Sequence, residues 1–436
     1  LKILILGADG RAHAYSWKIS QSTLCGQLYI APGNAGTAQL GENVDININD
    51  FAALKKFCLD HKIDMVLVGP EEPLVNGIYD FFKNDSKLKH IVINGPSLAG
   101  AKLEGSKAFA KAFMKKYNIP TADYGEFDVT NYEQGLDYIK NHQLPIVLKA
   151  DGLAAGKGVI ICHNGVEALS EYELMIQQSK FGEAGKKVVV EEFLNGIELS
   201  VFVLTDGVNY VLLPEAKDYK RIFEGDEGPN TGGMGAVSPV PFASEIFMNK
   251  VVKKVIEPTI RGLREDEINY KGFIFFGLIR VDDEPYVIEY NCRMGDPETE
   301  VVLLRLKNDL VQLLIAADKQ ELSKEKIVID PKTAATIVAV SEGYPAAYKK
   351  GFPIDFGYLQ NPEAIKHIDS EGGVIVFHAG TKQQNDEVVT NGGRVLAVSS
   401  LAESLPEAVG LSKEILDQIY FEGMYFRNDI GYEFIK

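Results

Sequence analysis

Over the first 95 residues, short apolar runs alternate with segments of helical periodicity. That alternation restricts this part of the chain to parallel strands joined by crossover helices. Lys2–Leu6, Leu28–Ala31, Met65–Val68 and Ile91–Ile93 read as buried strands, and Phe51–His61 carries apolar residues at helical spacing. Ligands of such sheets bind beyond the carboxyl ends of the strands. Three loops leave strands at that edge: GADGRAH (7–13), APGNAGT (31–37) and GPEEPLVNG (69–77).

The remaining 341 residues of the 436 exceed what one core holds, and the whole chain predicts roughly two to four domains. A helix over Ser106–Tyr117 is closed by Pro120. Residues 121–193 read as a small α/β unit with strands at Ile146–Ala150, Val159–Cys162 and Val188–Phe193. Further strands fall at Leu199–Leu204, Tyr210–Leu213, Phe273–Val281 and Tyr286–Asn291, with a long helix near 244–264. From about Ile327 the chain turns β-rich, with strands at Ala335–Val340, Val374–His378 and Arg394–Val398.

Composition narrows the class. A net charge of -16 argues against nucleic acid, because binding a phosphate backbone needs clustered Lys and Arg. No apolar run approaches the ~20 residues of a membrane span. The opening LKILILGADG ends its short apolar run in a glycine turn and does not read as a signal peptide. Cys25, Cys58, Cys162 and Cys292 lack metal or redox spacing, which predicts reduced thiols in a cytoplasmic protein. The seven histidines are equally scattered and support neither a zinc site nor a histidine-based triad.

Four segments carry chemistry. In VIEYNCRMGDPET (287–299), Glu289 and Asn291 stand two apart on a strand and share a face. They offer two hard oxygens to one point, which suits Mg²⁺ shared with nucleotide phosphates. KADGLAAGKG (149–158) places Gly152, Gly156, Lys157 and Gly158 in a turn between two strands, where backbone N–H groups can approach phosphate oxygens. It lacks the G-x-x-x-x-G-K-[ST] spacing of a P-loop. A plain hairpin would not require Lys149, which ends an apolar strand and is costly there without an anionic partner. VVVEEFLNGIELS (188–200) runs from Glu191 through a turn to Glu198, between elements whose backbone can read an adenine edge. EGDEGPNTGGMGAVSPVP (224–241) is a long loop without apolar content, preceded by AKDYKR with Asp218, Lys220 and Arg221. Each segment alone has an ordinary reading as a strand end, a hairpin or a solvated charge cluster.

Together with LEGSKAFAKAFM, VFHAGT and GGRVLAV, these segments make nearly the whole chain resemble, in order, the glycinamide ribonucleotide synthetases (phosphoribosylamine–glycine ligases) of the ATP-grasp superfamily. The resemblance implies a multidomain α/β and α+β fold. Residues 1–105 would form a parallel α/β substrate-binding domain, 106–326 an ATP-grasp core with a lid at about 121–193, and 327–436 a β-rich C-terminal domain. It implies ATP with Mg²⁺ or Mn²⁺, the substrates glycine and 5-phosphoribosylamine, a cytoplasmic location, a monomer or weak dimer, and no nucleic-acid or membrane partner. By position, Glu289 and Asn291 would hold the metal. Lys107 and Lys149 would offset phosphate charge, the 152–158 loop would close as a lid, and Glu191, Phe193, Leu194 and Glu198 would bind adenosine. Arg293 would pair with the glycine carboxylate, with Asp218 near its ammonium, and Asp296 and Asn230 would complete the catalytic group. Gly10, Gly33, Asn34, Glu71, Lys220, Thr231 and Arg293 would line the substrate site.

One departure stands out. The family's first loop has a glycine pair followed by Arg-Glu-His, whereas this chain reads Asp9-Gly10-Arg11-Ala12-His13. Asp9 adds negative charge beside the expected phosphate position, and Ala12 removes a carboxylate. The rival readings are another ATP-grasp ligase or a carboxylase of purine metabolism, a nucleotide-dependent oxidoreductase, and a non-catalytic scaffold. Asp9 interrupts the G-x-G-x-x-G that the oxidoreductase needs. Lys149, Glu289 and Asn291 together argue against the scaffold.

Overall fold

The computed structural model describes residues 1–153, 158–178, 180–360 and 373–435. Its first strands are β1 (Lys2–Gly7), β2 (Gln27–Pro32), β3 (Glu42–Asn43), β4 (Met65–Val68) and β5 (Val92–Pro96). They pair in parallel in the order β5-β4-β1-β2-β3. Ile3, Leu4, Ile5 and Leu6 are all fully buried, as expected for a parallel strand covered on both faces. The crossover helices Gly10–Ser20 and Phe51–His61 are started by Asp9 and Asp50, whose side chains accept the Ala12 and Ala53 N–H groups.

The second unit is an antiparallel sheet of β6 (Tyr124–Asp128), β7 (Ile146–Ala150), β8 (Val159–Cys162) and β9 (Lys187–Glu192), ordered β6-β9-β7-β8. Helices Tyr132–Asn141 and Gly165–Ile176 cover one face around Ile139, Leu148, Tyr172 and Val188. The expectations for Gly156 and Lys157 lie outside the described residues.

Beyond it run β10 (Ile197–Thr205), β11 (Tyr210–Leu212), β12 (Lys217–Asp218), β13 (Arg221–Phe223), β14 (Glu227–Asn230), β15 (Gly235–Ser238), β16 (Tyr270–Val281) and β17 (Glu284–Asn291). β18 (Thr333–Val340), β19 (Val374–His378), β20 (Thr381–Gln384), β21 (Glu387–Thr390) and β22 (Arg394–Ala402) complete the strands. β16 is the joint of the molecule. It pairs antiparallel with β10 and β17, and its first residues Tyr270 and Lys271 pair with Pro96 and Gly95 of β5. The parallel sheet and the antiparallel core are therefore one nine-stranded sheet. A five-stranded sheet, β12-β15-β18-β22-β19, likewise joins residues 217–238 to the C-terminal part. The long helix near 244–264 is two segments, Glu245–Val251 and Glu257–Glu265, separated by a wide π turn at Val252–Ile256. Pro258 has no N–H to donate into the preceding turn, which accounts for the break. Among the described residues no helix is long and apolar enough to cross a membrane, and all four cysteines are free thiols.

The C-terminal sheet is locked onto the first helix by two histidines. His13 Nδ1 accepts the His378 N–H at 2.7 Å, and Asn34 donates to the His378 carbonyl at 2.8 Å. Burial lowers both imidazoles, His378 to about 4 and His13 well below its usual value, where the charge of His378 adds to the fall. Their folded-state values lie below about 6.5, so their contribution to stability is complete above that pH and is lost as pH falls. His378 alone is expected to cost about 2 kcal/mol at pH 5. Thermal unfolding followed from pH 7 to pH 5 should show the loss, and His378→Gln should reduce it to the share of His13. A midpoint that does not change over that range in the parent chain would contradict the assignment.

Candidate active site

The end of β17 is shaped by a bulge. Gly277 of β16 faces Glu289 and Leu278 faces Val287, which leaves Ile288 as the extra residue. The Ile288 carbonyl accepts from Lys149 Nζ at 3.1 Å, so the lid sheet is bonded to the strand that carries the proposed metal ligands. Glu289 and Asn291 share one face of β17. Tyr290 points the other way, stacked edge-on to Phe276 and bonded to Thr259. Asn291 Oδ1 accepts from Arg293 Nη2 at 3.1 Å. Arg293 is in turn 2.9 Å from Glu104 Oε1 and 3.5 Å from Glu71 Oε2. The second Glu104 oxygen takes the Cys292 N–H at 2.7 Å. Burial raises the Glu104 carboxyl against the pull of Arg293, and its two oxygens position the loop after β17.

Three lysines approach from the helix and lid side. Lys149 is 2.9 Å and Lys111 3.2 Å from Glu191 Oε2, and all three side chains are almost wholly buried. Burial pushes Lys111 down to about 8, with Glu191 opposing the fall. Glu191 Oε1 is buried and receives no hydrogen bond from the described residues. Lys107 Nζ donates to the Gly152 carbonyl at 3.2 Å; burial lowers its pKa, and the nearby Glu289 carboxylate raises it. Asp151 accepts the Ala108 N–H at 2.7 Å and the Ser106 hydroxyl at 3.0 Å, tying the β7 turn to helix Lys107–Lys116. Gly158 closes the other side of that turn by accepting the Ala150 N–H at 2.8 Å. Phe193 and Leu194 follow β9 where the lid meets the core, and Phe193 is 36% exposed.

On the facing side Lys220 bonds Glu198 at 2.6 Å and lies 3.9 Å from Asp218. Desolvation works against the Lys220 charge, yet Asp218, Glu198 and Glu289 raise its pKa well above the ordinary lysine value. Glu298, bonded to Ser200 at 3.1 Å, is pushed up to about 7 by burial and by Asp218. Thr231 donates its hydroxyl to the Lys220 carbonyl at 2.8 Å, while Asn230 is exposed at the end of β14. Lys107, Lys220 and Asp218 all feel the field of Glu289. Residues more than 180 positions apart in the chain therefore share one electrostatic site.

A cleft of about 480 Å³ opens beside this site, between Gly7, Asp9 and Pro32 at the strand ends and Asp296, Gly380 and Arg394 opposite. Asp9 is not a free charge in the cleft: it caps its helix and pairs with Arg11 at 2.6 Å. Burial would raise its carboxyl, but Arg11 and the Ala12 N–H hold it below the usual range. Arg11 also bonds the Met294 carbonyl at 2.8 Å, behind the cleft. Gly10 packs against Glu300, whose buried carboxyl meets no donor among the described residues and is raised far above its usual value by burial and Asp296. Gly33 has φ +73°, and a Cβ there would meet Asn43 Oδ1 at 2.2 Å, so only glycine fits. Asn34 spends its amide on the Ala8, His378, Gly36 and Thr37 backbone, which makes it a brace of the cleft wall.

Residues 1–104, 105–299 and 334–433 match the N, ATP-grasp (A) and C domains of phosphoribosylglycinamide synthetase, respectively. The chain belongs to that family. It is similar to the phosphoribosylamine–glycine ligase of Vibrio parahaemolyticus serotype O3:K6, at 44% identity over 100% of this chain and 99% of that protein. The ligase of Clostridium acetobutylicum is 42% identical over 99% of both chains. Among solved structures, the phosphoribosylamine–glycine ligase of Thermotoga maritima aligns with TM-score 0.84 and 33% identity, covering 98% of this chain and 100% of that one. The biotin carboxylase domain of the Hydrogenobacter thermophilus 2-oxoglutarate carboxylase shares the fold, with TM-score 0.72 at 17% identity over 98% of this chain and 91% of that one.

Within this synthetase-family frame, several residues at the site escape sequence reasoning. Lys111 sits one helical turn after Lys107 and looks like a solvated helix lysine, yet its side chain is 2% exposed. Glu104 lies inside the LEGSKAFAK motif without an evident role, and Arg394 inside GGRVLAV. The available signal was the motifs themselves, since each of these charges ends up opposite a charge from another motif.

Proposed function

We propose that this chain is an ATP-dependent ligase that joins glycine to 5-phosphoribosylamine, giving glycinamide ribonucleotide, ADP and phosphate in purine biosynthesis. The observation that carries the reading is the convergence of Lys107 and Lys220 in the field of Glu289, with Lys149 bonded to the Ile288 carbonyl next to it. The donor set fits a hard divalent cation: one carboxylate and one amide oxygen on the same strand face, with phosphate oxygens left to complete the shell. Glu289 and Asn291 would hold it, and Mg²⁺ is the ion we favour. Such a cation supplies charge neutralisation to a phosphoryl group in transfer.

The chain's own groups account for the rest. Lys107 and Lys149 offset phosphate charge, and the buried Glu191 Oε1, lacking a donor, suits the 6-amino group of adenine. Exposed Phe193 and half-buried Leu194 would cover the base, with Glu198 at the ribose. Glycine is a poor acyl donor until its carboxylate takes the γ-phosphoryl group and gains a good leaving group. Arg293 would hold that carboxylate, and Asp218 the ammonium. The neutral amine of phosphoribosylamine, seated in the cleft beside Asp296, then displaces phosphate. Catalysis of this kind rests on positioning and charge, without a nucleophilic side chain.

ADP release is expected to require glycine and phosphoribosylamine together, with the amine generated in situ because it is unstable. Comparable ATP consumption with both omitted, or with bicarbonate in place of glycine, would defeat the reading.

A further inference from the structure

We propose that Arg394 is the anion anchor of the cleft and holds the phosphate of the amine substrate on the Nε–H and Nη2–H edge of its guanidinium. The inference rests on the ligase reading for the identity of that substrate. It stands on a donor count. Arginine carries five N–H groups and no acceptor. Arg394 Nη1 donates to the Gly232 carbonyl at 2.9 Å and to the Asp296 carbonyl at 2.6 Å, and Nη2 donates to Asp296 Oδ2 at 2.9 Å. Among the described residues nothing takes the Nε–H or the second Nη2–H. Those two donors lie parallel on one edge, the fork that matches two phosphate oxygens.

The surroundings fit that role. Among the described residues lining the cleft, Arg394 is the one cation. The two carboxylates there are already paired, Asp9 with Arg11 and Asp296 with Arg394, so an incoming dianion does not meet bare negative charge. Gly232 lies flat on the guanidinium: a Cβ there would stand 2.9 Å from Cζ, so any side chain would displace the fork. This gives the NTGG sequence a physical reason. Ile46 and Ile48 supply an apolar wall for a sugar ring. Arg394 opens β22, in the sheet built largely from C-terminal strands, while the nucleotide side of the site belongs to helix 107–116 and the lid. A phosphate held on Arg394 contributes binding that orients the nucleophile.

The test uses ribose 5-phosphate, ribose and the full chain. In the parent, ribose 5-phosphate should bind by calorimetry and inhibit competitively against phosphoribosylamine, and ribose should do neither. Arg394→Gln should raise KM for phosphoribosylamine about tenfold to a hundredfold, the range of a lost charge-assisted bond pair, with KM for ATP and glycine within about twofold. Arg394→Lys keeps a cation for Asp296 but loses the fork, and it should fold normally and still bind ribose 5-phosphate at least about fivefold more weakly. Equal ribose 5-phosphate affinity in the parent and Arg394→Lys overturns the anchor, as does competition against ATP, which would place the anion on the nucleotide side. All three KM values rising together would mark Arg394 as structural and overturn it too. A parent that binds ribose 5-phosphate through Arg394 but fails to turn over phosphoribosylamine upholds the anchor and removes the ligase reading. An active parent whose Arg394 variants are indifferent does the reverse.

Discussion

Glu289→Ala is expected to lower kcat by about a thousandfold or more while leaving the fold intact. Among the described residues the Glu289 carboxylate makes no hydrogen bond or salt bridge, although Lys107 and Lys220 lie within its field. Removing it therefore leaves no buried partner stranded, and the stability change should stay within about 0.5 kcal/mol. The chemical cost differs, because one of two cation ligands is lost where phosphoryl charge must be neutralised. Several kcal/mol of transition-state stabilisation correspond to about three powers of ten in rate. Phosphate release with the amine supplied in situ measures the first quantity, and thermal unfolding without nucleotide measures the second. Activity within a few-fold of the parent would remove Glu289 from the site. A large fall in unfolding midpoint would show instead that its role is structural.

Such a residue was legible in the sequence because strand periodicity is local. Glu289 and Asn291 need only a strand to share a face, and β7 and β8 were read to the residue because their apolar runs are continuous. β6 was missed: YGEFD alternates charge with aromatic and glycine on a half-buried edge, which is no pattern of a covered strand. The two-residue β12 and the four-residue β15 carry too few positions for any period. Nor could periodicity show that β16 pairs with both β10 and β5, since sheet continuity is decided by long-range packing. The charge network was hidden for the same reason. Asp9 read alone is a negative charge beside a phosphate position, but in the fold it is a helix cap neutralised by Arg11. Lys111 read alone is solvated, but in the fold it faces a glutamate that lies 80 residues away in sequence. Compensation between distant charges leaves no mark in either local sequence.

The largest stability effect is expected at Glu191. Its carboxylate is 3% exposed and serves two buried ammonium groups at once, Lys149 at 2.9 Å and Lys111 at 3.2 Å. Glu191→Leu strands both, and removing one partner of a buried ion pair costs about 3 to 5 kcal/mol. Lys111 retains the Thr121 hydroxyl at 2.8 Å and the Ala122 carbonyl at 3.1 Å, and Lys149 retains the Ile288 carbonyl, so the loss belongs in that range and not above it. Replacing both sides of one contact is cheaper than breaking it. The double change Glu191→Leu with Lys111→Met should therefore be more stable than Glu191→Leu alone. Urea unfolding without nucleotide gives both numbers. A single-variant loss under about 1 kcal/mol, or a double variant less stable than the single, would mean that the lysines are not held by this carboxylate. Glu191→Gln separates structure from recognition. It keeps the shape and an oxygen acceptor, but its amide can turn to present N–H where Oε1 stood. Its kcat/KM for ATP should fall more than that for GTP, because the 6-oxo group of guanine accepts a donor that the parent carboxylate cannot supply.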